Sequence, residues 1–204
     1  MVAGTATEIG KTWVTCRLAE ELRRRGVAVS ARKPVQSFEP GDDDEGTTDA
    51  HLLAAATGER PQQVTPPHRW YPRALAPPMA AAALGLPAIR VDDLVRETTW
   101  PTETAVGLIE TAGSVRSPLA DDGDTAVLAA RTRPDLVILV ADAALGTIGA
   151  VRANQEALAA HRVVVLLNRF DSSDDVHRAN LDWLEERCGY GVATGVPTLI
   201  GHLR

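Results

Sequence analysis

The stretch Gly4-Thr5-Ala6-Thr7-Glu8-Ile9-Gly10-Lys11-Thr12 decides how the rest of the chain is read. Its glycines let the backbone turn amide hydrogens inward around an anion, and a helix opening at Lys11 adds the positive end of its dipole. Lys11 then reaches the outer phosphates of a nucleotide, and the Thr12 hydroxyl reaches magnesium. A standard phosphate loop has four residues between its first glycine and Gly-Lys-Thr. Here the five residues 5–9 stand there, so the stretch is a variant. The competing reading is a glycine turn before an ordinary helix, with Lys11 merely solvated. The surrounding pattern argues against it, because the stretch stands at a strand-to-helix junction.

Only Met1, Val2 and Ala3 precede Gly4, so either the strand feeding the loop is very short or the start lies upstream; the second is expected. Beyond the loop, Val14, Leu18 and Leu22 recur every four residues and predict a helix over 11–25, stopped by Gly26. A strand over 27–32 follows, then Lys33-Pro34 and an irregular polar run over 39–46. A helix is expected from Thr47, Thr48 or Asp49 to Gly58. Residues 59–78, rich in proline, read as an irregular crossover, with short helices over 79–84 and 92–98 after it. Strands are predicted over 106–110, 135–141 and 162–168, helices over 124–131, 147–160 and 174–188, and a last short strand over 196–200. Alternating strands and helices imply right-handed crossovers and a mostly parallel sheet covered on both faces. The expected architecture is a single α/β domain over 1–204, a three-layer α/β/α sandwich of the P-loop NTPase kind.

The bulk numbers agree with such a domain. The chain has 204 residues, 45% hydrophobic and 24% charged, with a formal charge of −6. No basic block invites nucleic acid, and the apolar runs are too short to cross a membrane. Cys16 and Cys188 match no metal spacing, and no secretory signal is apparent, so a reduced cytoplasmic setting is expected. The tryptophans, Trp183 among them, read as core or interface residues. The five histidines show no metal-ligand spacing.

These residues resemble the dethiobiotin synthetases, whose loop reads Gly-Thr-Asp-Thr-x-x-Gly-Lys-Thr, with Ala6 here in place of the aspartate. The longer loop is that family's own. Further matches follow in order: Lys33-Pro34-Val35 and Ser37, Asp49-Ala50, Ala76-Pro77-Pro78, Glu110 with Ala112-Gly113, Pro118-Leu119, Leu145-Gly146-Thr147, Asn168, and Gly195-Val196-Pro197. The resemblance covers nearly the whole chain. It implies an ATP- and magnesium-dependent ring closure in biotin biosynthesis. A diamine, 7,8-diaminopelargonate, takes up CO2 as a carbamate, ATP phosphorylates it, and the second amine closes the cyclic urea. It also implies a homodimer.

Roles can then be assigned on each residue's own chemistry. Lys33 ends a strand at the carboxyl edge of the sheet, where ligands bind. With Lys11 it would face the carbamate and γ-phosphate, and the two are the only lysines in the chain. Thr7 and Ser37 could hydrogen-bond the diamine or carbamate. Thr12, Asp49 and Glu110 would be hard oxygen ligands for magnesium, with Asp42, Asp43 and Asp44 as rival carboxylates. Asp49 in the first turn of a helix capped by Thr47 or Thr48 would suit the helix dipole equally well. Glu8, Ile9, Gly10, Lys11 and Thr12 would hold the nucleotide. Asn168, able to donate and accept, and Val196, Pro197 and Leu199 would meet adenine.

The sequence also departs from the family pattern. Glu110-Thr111-Ala112-Gly113-Ser114 stands where Glu-Gly-Ala-Gly-Gly is usual, so side chains at 111 and 114 are expected to crowd the substrate. Phe38 replaces a glycine, Met79 a histidine and Gly149 an asparagine. These differences gather on the diamine side. They keep open a related ATP-dependent ligase or carboxylase with another substrate, or a catalytically weak nucleotide-binding paralogue. A partition-type switch ATPase needs a signature lysine within its loop, and positions 5–9 hold none.

Overall fold

The computed structural model describes residues 1–43 and 45–203; Asp44, one of the rival carboxylates, lies outside them. The strands that position the loop are β1 (Val2–Gly4), β2 (Val29–Arg32), β3 (Val106–Ile109), β4 (Val137–Asp142), β5 (Val163–Asn168) and β6 (Gly191–Ala193). β1, β4, β5 and β6 form one parallel sheet in that order. β2 and β3 form a parallel pair. A single bridge, Val2 to Glu110, joins the two pieces, reinforced where the Thr111 amide donates to the Val2 carbonyl at 3.0 Å. The spatial order is therefore β2-β3-β1-β4-β5-β6. The chain leaves β1 towards one side of the sheet and returns on the other, and that reversal sets the ligand crevice at the carboxyl end of β1.

The aliphatic runs of β4 and β5 alternate strictly between two cores. Val137, Leu139, Ala141, Val165 and Leu167 join one buried cluster, whereas Ile138, Val140, Val164 and Leu166 join the other. A strand buried on both faces has this composition because helices cover it from both sides. α1 (Lys11–Arg24) covers the second face through Val14, Leu18, Ala19 and Leu22, all buried. Val14, Leu18 and Leu22 each contribute about 1.5–3 kcal/mol on burial. Gly26, at φ 80°, ends the turn after it in the left-handed region. The first face is covered in part by Leu128, Val151 and Leu158, from the helices Thr125–Thr132 and Thr147–Ala157 and the residue that caps the second. The outcome is the three-layer α/β/α architecture expected.

Some boundaries fall within the expectations and others do not. β1 has three residues, all buried. α2 (Asp49–Thr57) starts at the last of the three expected positions. The proline-rich crossover is partly ordered: Pro61–Val64 is helical, and Gln36–Ser37 pairs in parallel with Trp70–Tyr71. The helix expected over 79–84 begins at Pro77, since prolines fit the first turn, where their missing N–H costs nothing. The strand expected over 196–200 is instead the helix α3 (Val196–Gly201), with Pro197 in its first turn; the last strand lies earlier, at Gly191–Ala193. Trp183 is 50% exposed, so it is not a core residue.

Candidate active site

Gly4 ends β1, and the Thr5 amide donates to the Val140 carbonyl at 2.9 Å, pinning the loop to β4. A Cβ on Gly4 would stand 2.8 Å from the Ile9 side chain and 2.9 Å from that of Lys11, so only glycine lets the loop fold back on itself. Gly10 caps α1 at φ 89° without any side-chain cap. The first-turn amides of α1 are thus left for an anion. A Cβ on Gly10 would lie 2.3 Å from Asn168 Nδ2. Glu8 is also left-handed, at φ 58°.

Lys11 is buried and its Nζ donates to the Ala6 carbonyl at 2.9 Å. Burial, and after it the neighbouring Lys33 charge, lower its pKa to about 8, a fall that Glu110 and Asp49 only partly offset. Thr12 Oγ1 lies 2.7 Å from Asp49 Oδ1 and 2.8 Å from Glu110 Oε1. Lys33 Nζ donates to Glu110 Oε1 at 2.8 Å and pairs with Asp49 Oδ2 at 2.5 Å. Burial alone would lower the Lys33 pKa, but Asp49 and Glu110 outweigh it and raise it, so the ammonium is a fixed charge. Burial opposes ionisation of Asp49 too, yet Lys33 and Thr12 hold its carboxyl below the usual range.

Four elements therefore converge on one polar cluster: the loop and α1, the ends of β2 and β3, and the first turn of α2. Thr7, Glu8, Gly10, Lys11 and Thr12 from the loop, with Lys33, Ser37 and Asp49 opposite, line one cleft of about 460 Å³. Glu110 lies fully buried at its base. Ser37 Oγ donates to the Leu75 carbonyl at 2.6 Å. Of the rival carboxylates, Asp42 and Asp43 do not line the cleft; Asp43 faces His51 at 3.8 Å.

The donor set fits magnesium. One hydroxyl proton cannot serve two carboxylates at once, and Glu110 Oε2 is buried with no hydrogen-bond partner. A hydroxyl and two carboxylates are ligands that a hard divalent cation accepts, and the orphaned oxygen is one that such an ion would satisfy. Among the described residues no group of three or more His, Cys, Asp or Glu could hold a metal. Magnesium needs none, since it keeps several waters and binds phosphate besides one or two carboxylates.

The expected adenine contacts are placed differently. Val196 and Leu199 are packed in the core beside α1, and only Pro197 of the three is exposed. Asn168 Nδ2 donates to the Ile9 carbonyl at 2.8 Å, bracing the loop from behind, while the Ile9 side chain is buried in the core. The crowding expected from residue 111 is absent: Thr111 is fully buried towards β1, and Ala112 and Gly113 line the cleft. Ser114 Oγ is instead paired with Ser117 Oγ at 2.9 Å. Sequence reading passed over Arg169, which donates to the Glu8 carbonyl; its position directly after Asn168 was the available signal.

A family model described as an AAA domain matches residues 1–200. The chain is 36% identical over 166 residues to an ATP-dependent dethiobiotin synthetase BioD of Corynebacterium efficiens, covering 81% of this chain and 71% of the relative. It is 33% identical to the protein of that name from Rhodococcus jostii, across 100% of this chain and 87% of the relative. With the Caulobacter vibrioides protein it shares 41% over 154 residues, 72% of this chain and 67% of the relative.

Proposed function

Since the chain belongs to the dethiobiotin synthetase family, we propose that it is an ATP-dependent dethiobiotin synthase of biotin biosynthesis. In this reading 7,8-diaminopelargonate, CO2 and ATP give dethiobiotin, ADP and phosphate. The observation that carries it is the cluster of Thr12, Lys33, Asp49 and Glu110 directly under the loop. The reaction needs a phosphate cradle, fixed cations near the transferred phosphoryl group and a dry polar floor.

The chain's residues divide these tasks. Gly4 and Gly10 shape the cradle, with Glu8 and Ile9 contributing backbone between them, and Lys11 presents its ammonium to the outer phosphates. Lys33, kept charged by its carboxylate partners, faces the carbamate from the other wall and offsets the negative charge that gathers as the phosphoryl group moves. Thr7 and Ser37 orient the diamine. Thr12, Asp49 and Glu110 would hold magnesium, which supplies Lewis-acid neutralisation of phosphate charge when bound. The proposed setting is cytoplasmic, where ATP and CO2 are at hand, and the proposed assembly is a homodimer. Among the described residues no helix is long and apolar enough to cross a membrane.

The test supplies ATP, magnesium, bicarbonate and 7,8-diaminopelargonate and follows dethiobiotin and ADP by mass spectrometry. Stoichiometric dethiobiotin and ADP are expected. ADP release indifferent to the diamine would sink the reading and favour a different acceptor or a silent nucleotide binder.

A further inference from the structure

We propose that Arg169 is a positioning residue of the phosphate loop, a latch that holds the loop amides towards the phosphates. The inference rests on the phosphate-loop reading of residues 4–12 and goes beyond it, because Arg169 lies just past the end of β5 and belongs to no part of the loop.

Arg169 Nη2 donates to the Glu8 carbonyl at 2.9 Å, and its Nη1 donates to Asp142 Oδ2 at 2.8 Å. Asp142 is itself fixed, since its Oδ1 accepts from the Ala144 amide at 3.0 Å. The guanidinium is thus a rigid strut from the end of β4 to the middle of the loop. Next to it, Asn168 Nδ2 takes the following carbonyl, that of Ile9, at 2.8 Å. In a trans peptide the N–H points opposite to the C=O of the same unit. Turning the Glu8 and Ile9 carbonyls towards Arg169 and Asn168 therefore turns the Ile9 and Gly10 amides the other way. Two successive amides on one side make an anion nest.

The backbone at Glu8 shows why a strut is needed. Glu8 is held at φ 58°, a left-handed region that a non-glycine residue adopts only at a cost in energy. Glycine at this position would adopt it freely, but the chain has a glutamate, and the Arg169 bond ends on that residue's own carbonyl. Arg169 is likewise left-handed, at φ 58°. Its side chain is 59% exposed, so its removal takes little from the core.

The test measures binding of inorganic tripolyphosphate and of ATP, each with magnesium, by calorimetry. Tripolyphosphate has the phosphates without base or sugar. Arg169→Ala should weaken both ligands by the same factor, about 10-fold or more for a lost charged hydrogen bond. The melting temperature of the ligand-free protein should stay put, and KM for ATP should rise by that factor with far less change in kcat. Asp142→Asn should weaken both ligands less. The double variant should bind no worse than Arg169→Ala alone, because the two residues act as one unit. Loss for ATP with none for tripolyphosphate would make Arg169 a base or sugar contact and overturn the latch. Unchanged binding of both, or strictly additive losses, would overturn it as well. Lys11→Ala separates the two levels: if it spares tripolyphosphate binding, the phosphate-loop reading itself fails, and if only Arg169→Ala is silent, the latch alone fails.

Discussion

Lys11 and Lys33 face the same two carboxylates and shift in opposite directions, because Lys33 touches both whereas Lys11 bonds only a carbonyl. For Lys11, a pKa of about 8 means that the ligand-free ammonium is half discharged near pH 8. A bound phosphate requires it charged, so binding takes up a proton above that pH. ATP affinity should therefore be flat below pH 8 and weaken as pH rises through it; calorimetry in buffers of different ionisation heat would detect the proton. Lys11→Arg should remove that dependence, since arginine stays charged throughout. For Asp49 the sign is reversed. Its folded pKa lies below the ordinary 3.8, so its contribution to stability is present above that value and is lost as pH falls through the folded pKa. Lys33→Ala leaves Glu110 buried without a counter-charge and should cost about 3–5 kcal/mol of stability in urea unfolding, besides abolishing turnover.

At the scale of elements, the strand–loop–helix unit from Val2 to Arg24 was readable because each of its signals is local: glycines at a tight turn, then an apolar stripe of period near four. The same holds for β4 and β5, whose uninterrupted aliphatic runs suit a strand buried on both faces. Residues 196–200 misled because Val-Pro-Thr-Leu-Ile has the composition of a strand, yet Pro197 falls where a helix tolerates it and β5's edge is already taken by Gly191–Ala193. The convergence of Lys33, Asp49 and Glu110 was inferable from their places at strand and helix ends. The role of Asn168 was less so, since one of its amide N–H groups goes to the Ile9 carbonyl, a contact 159 positions away. That packing gives a sharp expectation. Gly10→Ala would put a methyl group 2.3 Å from Asn168 Nδ2 and force alanine to φ 89°. Nucleotide binding should drop below detection in a fluorescent-nucleotide titration, while circular dichroism shows the helices intact.

Across the whole molecule, the weak point of the sheet coincides with the strong point of the site. β2 and β3 meet the four-stranded sheet through one bridge and, just past β3, through the Thr111 and Val115 amides, which donate to the Val2 and Gly4 carbonyls. The polar cluster crosses that same line, with Thr12 on the β1 side and Lys33, Asp49 and Glu110 on the other. A magnesium nucleotide held by the loop and by Asp49 and Glu110 would tie both pieces together, so binding should act on the whole fold. Ligand at 100 times its Kd adds about 2.7 kcal/mol, which for a chain of this size is a rise of roughly 5–11 °C in melting temperature. The rise should need both ATP and magnesium and vanish with EDTA. Hydrogen exchange should localise it: amides of β2 and β3 should gain protection on binding, whereas those of β4 and β5, already in the middle of the sheet, should change little. Equal protection in all four strands would mean that the two pieces already open as one unit, and the seam would then have no part in the response to nucleotide.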